Sequence, residues 1–128
     1  MTKIIIDSYA WIEYLLSTDK GLKVKNIIEN GNNKICTHIL SLAEIVSRLS
    51  RSGVNYSESI EGILTNSEIL HIDENASIRA GNIHTEIRKE IKDFGLVDAF
   101  ILLAAKDNNM RILTGDPHFK NIKEAIII

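Results

Sequence analysis

The chain has one cysteine, one proline and only 5% aromatic residues. A lone Cys36 cannot close an intrachain disulfide, and no cysteine–histidine spacing suited to zinc is present. In the short apolar run Ile35-Cys36-Thr37 it reads as a small buried residue. With Pro117 as the only proline, there is no proline-rich linker, low-complexity segment or internal repeat. No apolar run approaches the roughly 20 residues of a membrane span. The start MTKIIID has no apolar stretch of signal-peptide length, so a soluble, cytoplasmic protein is expected. Neither a G-x-S-x-G elbow nor a phosphate-binding glycine loop occurs, which argues against a serine hydrolase or a P-loop enzyme. No sign of charge dominates: 15 basic against 17 acidic residues leave a net charge of −2. The broad basic field of many nucleic-acid-binding domains is therefore missing. That constraint is weak, because a metal ion and a few local arginines can handle phosphates.

What is present is the composition of an ordinary globular protein, 45% hydrophobic and 25% charged. Its 128 residues read as one domain, 1–128, long enough to bury a core. Residues 3–6, 34–37, 69–72, 111–114 and 125–127 read as strands. Residues 8–17, 20–30, 39–51, 56–66, 74–92 and 98–108 read as helices, with breaks marked by Gly21, Gly31, Gly53, Gly95 and Gly115. Short apolar strands separated by helices predict an α/β fold with a parallel sheet covered on both faces. In the helix over 39–51, Ile39, Leu42, Val46 and Leu49 form one stripe. Glu44 falls on the far side, with Ser47, Arg48 and Arg51. The first helix carries Trp11, Tyr9, Tyr14, Leu15 and Leu16 on more than one face. That pattern fits burial between neighbours, or a face for a partner chain.

Four acids stand out by position. Asp7 ends the run Lys3-Ile4-Ile5-Ile6, and Asp116 follows Arg111-Ile112-Leu113-Thr114. Asp98 opens the apolar stretch 99–105, and Glu44 lies within Leu42-Ala43-Glu44-Ile45-Val46. Parallel α/β sheets build their sites past the carboxyl ends of the strands, where Asp7 and Asp116 stand. Converging carboxylates relieve their repulsion by protonation or by a cation. An all-oxygen set suits Mg²⁺ or Mn²⁺, which points to metal-assisted phosphoryl chemistry. Each acid also has a plainer explanation. The three aspartates fit helix caps or turns, and Asp116-Pro117 is a turn initiator. Glu44 and Arg48 fit an exposed i,i+4 pair. Asp19, Glu29, Glu58, Glu61, Asp107 and Glu124 read as solvated surface, Asp93 as ambiguous between surface and a fifth acid at the rim, and His118 as a surface turn residue. Two rival enzyme and signalling classes fit worse. A haloacid-dehalogenase-type phosphohydrolase wants a second aspartate where Tyr9 stands, and a receiver domain wants adjacent acids in the first block. A binding module whose acids only cap helices predicts no stabilisation by metal.

Four segments together carry a resemblance. The opening KIIIDSYAWIEYL is similar to the strand, aspartate and helix start of PIN-domain ribonucleases, specifically the toxins of virulence-associated (VapC-type) toxin–antitoxin pairs. LSLAEIVSRL with Glu44, GLVDAFILLAA with Asp98, and RILTGDPHFKNI with Thr114 and Asp116 resemble the later blocks, in order. The resemblance implies a three-layer α/β/α fold around a central parallel sheet of about five strands. It also implies an Mg²⁺- or Mn²⁺-dependent endoribonuclease, a homodimer, and a small antitoxin that inserts a segment near the active site. On this reading Asp7, Asp98 and Asp116 hold one or two metal ions. Glu44 completes the charge of the site or orients a water, and Thr114 donates its hydroxyl to Asp116 or to bound water. Metal-activated water then hydrolyses the RNA phosphodiester, leaving a 5′-phosphate and a 3′-hydroxyl. Arg48 and Arg51, on the face of Glu44, are expected to contact phosphates. A nuclease outside any toxin–antitoxin pair, or a PIN-fold binding module, is the alternative.

Overall fold

The structure is a computed structural model that describes residues 1–128. In chain order it runs β1 (Thr2–Ile6), α1 (Ser8–Leu15), α2 (Asp19–Glu29), β2 (Asn33–His38), α3 (Ile39–Arg51) and α4 (Ser57–Asn66). It continues with β3 (Glu68–Leu70), α5 (Glu74–Ile87), α6 (Leu96–Asn108), β4 (Arg111–Thr114), a 3₁₀ turn (Pro117–Phe119) and β5 (Ala125–Ile127). All neighbouring strands are parallel, in the order β3-β2-β1-β4-β5. The chain builds outward from β1 on one side, then returns to build on the other. The crevice between β1 and β4 is therefore the point where the strand order reverses, the usual place for a site in such sheets.

Strand alternation splits the apolar residues between two faces. Ile4 and Ile6 pack with Trp11, Val24, Ile45, Leu49, Ile63 and Leu113 on one side. Ile5 packs with Cys36, Phe94, Ala99, Ile101, Leu102, Ile112 and Phe119 on the other. Two cores, each roofed by helices, make the three α/β/α layers. Trp11 is 1% exposed, and its indole N–H donates to the Thr37 hydroxyl at 3.0 Å, tying α1 to β2. That residue belongs to the interior, whereas Leu16, which caps the C-terminus of the same helix, stays 57% exposed. No helix is long and apolar enough to cross a membrane.

Several boundaries differ from the sequence reading. The helix expected over 74–92 stops at Ile87. Its apolar stripe continues because Ile91 N–H still donates to Ile87 carbonyl at 2.8 Å, so Ile83, Ile87 and Ile91 stay on the core through the turn. Helix α6 starts at Leu96 rather than at residue 98, with Gly95 as its N-cap. The buried ridge of α3 is Ser41-Ile45-Leu49, flanked by the half-buried Leu42 and Val46. Glu124, read as surface, is 9% exposed and pairs with Lys106 at 2.9 Å.

Candidate active site

The fold brings all four acids to one cleft of about 500 Å³, which Arg48, Arg51 and Asp93 also line. Asp7 leaves β1 and caps α1, its Oδ1 accepting Ala10 N–H at 2.9 Å. Its own N–H donates to Leu113 carbonyl at 3.1 Å, which locks the end of β1 to β4. Asp116 lies two residues past β4, with Oδ1 accepting His118 N–H at 2.9 Å. Asp98 is the third residue of α6, and its Oδ2 accepts Gly95 N–H at 3.1 Å. Glu44 projects from α3, its Oε1 accepting the Ser8 hydroxyl at 3.0 Å. The capping explanation therefore holds for the aspartates without competing with a site. Each ties one oxygen to a backbone N–H of its own turn, and that bond aims the carboxylate.

Electrostatics set these acids apart. Asp7 is only 4% exposed, and burial pushes its pKa from 3.8 up to about 7. Hydrogen bonds from Thr114 and Ala10 pull the other way, while the charges of Asp98 and Asp116 push it further up. Burial and then the Asp116 charge raise Asp98 to about 6. Glu44 is also raised, first by burial, against the Ser8 hydrogen bond, with Asp116 adding repulsion. No lysine or arginine pairs with any of the four. Surface acids elsewhere have such partners: Glu68 with Lys34, Asp107 with Arg79, Glu86 with Lys89. A crowded carboxylate cluster whose deepest member is buried, with no lysine or arginine beside it, either holds protons or receives a cation. Its oxygen donors fit a hard divalent ion.

The structure also places the remaining sequence candidates. Thr114 is fully buried, so it offers no surface to a substrate. Between Thr114 and Asp116 the bond runs from the Asp116 backbone N–H to Thr114 Oγ1, at 3.0 Å. The Thr114 hydroxyl also acts on Asp7, whose pKa it pulls down against the effect of burial. Arg48 does not pair with Glu44. Arg51 donates from Nε to Ser47 carbonyl at 3.2 Å, and both arginines face the cleft. His118, read as a surface turn residue, belongs to the acidic cluster. One donor atom each from Asp98, Asp116 and His118 all lie within 4.8 Å of one another. Tyr9, also a cleft residue, packs so closely on Gly115 that a Cβ there would sit 2.2 Å from Tyr9 Cε1. The isolated glycine was the sequence signal for that approach.

The sequence profile of the PIN domain matches residues 4–125. The chain belongs to the PIN domain family. This PIN chain is similar in fold to DNA-bound VapBC from Salmonella typhimurium, with a TM-score of 0.75, 21% identity, and coverage of 100% of this chain and 98% of the other. It is similar to Mycobacterium tuberculosis VapC20, a sarcin–ricin loop cleaving toxin, with a TM-score of 0.76, 15% identity, and coverage of 94% and 95%. A toxin–antitoxin complex from Klebsiella pneumoniae gives a TM-score of 0.74 at 17% identity, over 96% of this chain and 95% of the other. Comparison with curated protein sequences finds no significant match. At these identities the likeness is one of PIN fold.

Proposed function

We propose that this PIN domain is a divalent-cation-dependent endoribonuclease, acting in the cytoplasm as the toxin of a toxin–antitoxin pair. The observation that carries the reading is the cleft of four crowded carboxylates with no lysine or arginine partner, set where the strand order reverses. Asp7, Asp98 and Asp116 would hold Mg²⁺ or Mn²⁺, with Glu44 completing the charge. Bound there, the cation would lower the pKa of an attacking water and polarise the phosphoryl oxygen. The protein's own groups do the rest. The Ala10 N–H orients Asp7, and the Gly95 N–H orients Asp98. Glu44 takes the Ser8 hydroxyl on Oε1 and has Oε2 to orient water. Arg48 and Arg51 are placed to bind flanking phosphates. Ser8 lines the cleft, and its hydroxyl serves as the donor that holds Glu44.

The partner reading draws on the fold neighbours, which include VapBC and toxin–antitoxin complexes. Leu16 and Leu22, both more than half exposed, give the α1–α2 side an apolar surface for a small antitoxin. A homodimer is expected, to be checked by light scattering. The test of function is cleavage of total cellular RNA with Mg²⁺, Mn²⁺ or chelator, beside Asp7→Asn and Asp98→Asn. Cutting that needs metal, disappears in both variants and leaves 5′-phosphate ends is the expected result. A 2′,3′-cyclic phosphate product would overturn the mechanism, since the RNA 2′-hydroxyl would then be the nucleophile. Folded protein that neither cuts RNA nor gains stability from metal would instead be a binding module.

A further inference from the structure

We propose that His118 completes the cation site as a nitrogen donor and turns its preference toward Mn²⁺ over Mg²⁺. This rests on the metal-dependent reading above and names one more ligand of that same site. The imidazole offers a donor atom within 4.8 Å of one oxygen each from Asp98 and Asp116. Ligand atoms on opposite sides of a small divalent ion stand about 4.2 Å apart. Small side-chain adjustments therefore bring all three to one ion.

The chain around His118 is built to hold it there. Asp116 Oδ1 accepts the His118 backbone N–H at 2.9 Å and lies 3.1 Å from its Nδ1. Pro117, between them, fixes the backbone angle of the turn. On the other side, Phe119 is fully buried, with its ring 5.4 Å from that of Phe94. An ordinary surface histidine would be free to swing into solvent. This one is pinned between a side-chain-capped turn and a core anchor, and it faces the cleft. Its ring has no protein partner other than Asp116.

A nitrogen donor matters for selectivity. Mg²⁺ takes oxygen ligands and keeps several waters, so a carboxylate-only site treats it well. Imidazole strengthens binding of first-row transition ions relative to Mg²⁺. His118 would thus discriminate between cations that the four carboxylates alone hold more evenly.

The experiment is Mn²⁺ binding to the full chain without RNA, followed by pulsed electron paramagnetic resonance and by calorimetry, for wild type and His118→Gln. Glutamine keeps the backbone N–H of the turn, and a metal-free melt confirms that the variant is folded. The expected result is an imidazole ¹⁴N modulation in the wild type that is absent in the variant. The Mn²⁺ dissociation constant should rise about tenfold or more, a loss typical even of ligands one shell further out. That for Mg²⁺ should change less than about twofold. Bound Mn²⁺ without the nitrogen signal, or with the signal unchanged in His118→Gln, overturns the proposal and leaves a carboxylate-only cation site standing. Failure of both ions to bind the wild type overturns this proposal and the metal-dependent reading together.

Discussion

Asp7 is held by two opposing demands. As a cap it is well placed, yet at 4% exposure its ionised form is poorly solvated, and its pKa rises to about 7. The folded-state value lies above the ordinary 3.8, so the folded protein binds the proton more tightly than the unfolded chain does. The stability tied to that proton is complete below about pH 4 and is lost as pH rises through about 7. Asparagine cannot ionise and caps a helix equally well. In chelator at pH 8, Asp7→Asn should therefore melt several degrees above the wild type, with the gap closing at pH 5. Melting curves that run parallel from pH 5 to 8 would show that Asp7 is not protonated in the fold. Mn²⁺ at pH 8 should raise the wild-type melting temperature and leave Asp7→Asn nearly unmoved, because a ligand stabilises only the state that binds it.

At the scale of elements, the position of Asp7 depends on how α1 meets α2. A Cβ on Gly21 would lie 2.1 Å from Glu13 carbonyl oxygen and 2.7 Å from its carbon. Those atoms are helix backbone and cannot turn aside. Gly21→Ala should cost about 1–3 kcal/mol in urea unfolding, the range for overpacking. Arg79→Ala, which removes the exposed pair with Asp107 between α5 and α6, should cost much less, because solvent screens that pair. Equal losses would mean that the α1–α2 contact yields. Gly21 also shows where sequence reading runs out. It looked like a break, whereas it is a point of close approach inside a helix, and the partner that makes it so is visible only once the helices are packed. The strands were legible because β-branched runs such as Ile4-Ile5-Ile6 are buried on both faces. The end of α5 was hidden because Ile91 keeps the helical period past the last helical residue. Asp7, Glu44, Asp98 and Asp116 could be found by asking which acids end strands or oppose an apolar stripe. His118 could not, since its place depends on the β4 loop and the start of α6 meeting in space.

The whole molecule carries a net charge of −2, and its cleft gathers acids, so its overall field repels the RNA it is proposed to cut. Attraction must then be local. Arg48 and Arg51 are the arginines lining the cleft, on the rim formed by α3. If they meet phosphates, each should contribute to counterion release, whatever the sequence of the RNA. In an Asp7→Asn background, where cutting should be abolished, each Arg→Ala change should flatten the plot of log binding constant against log salt by about 0.7, the per-contact value for single strands. The double variant should lose about 1.4 by the same reasoning. Affinity that falls with no change in slope would mean the arginines shape the rim without touching phosphate. No change in either quantity would return them to the solvated face of α3. The RNA path would then have to run over the opposite rim, past Tyr9 and the Lys20 ammonium 3.2 Å from its hydroxyl.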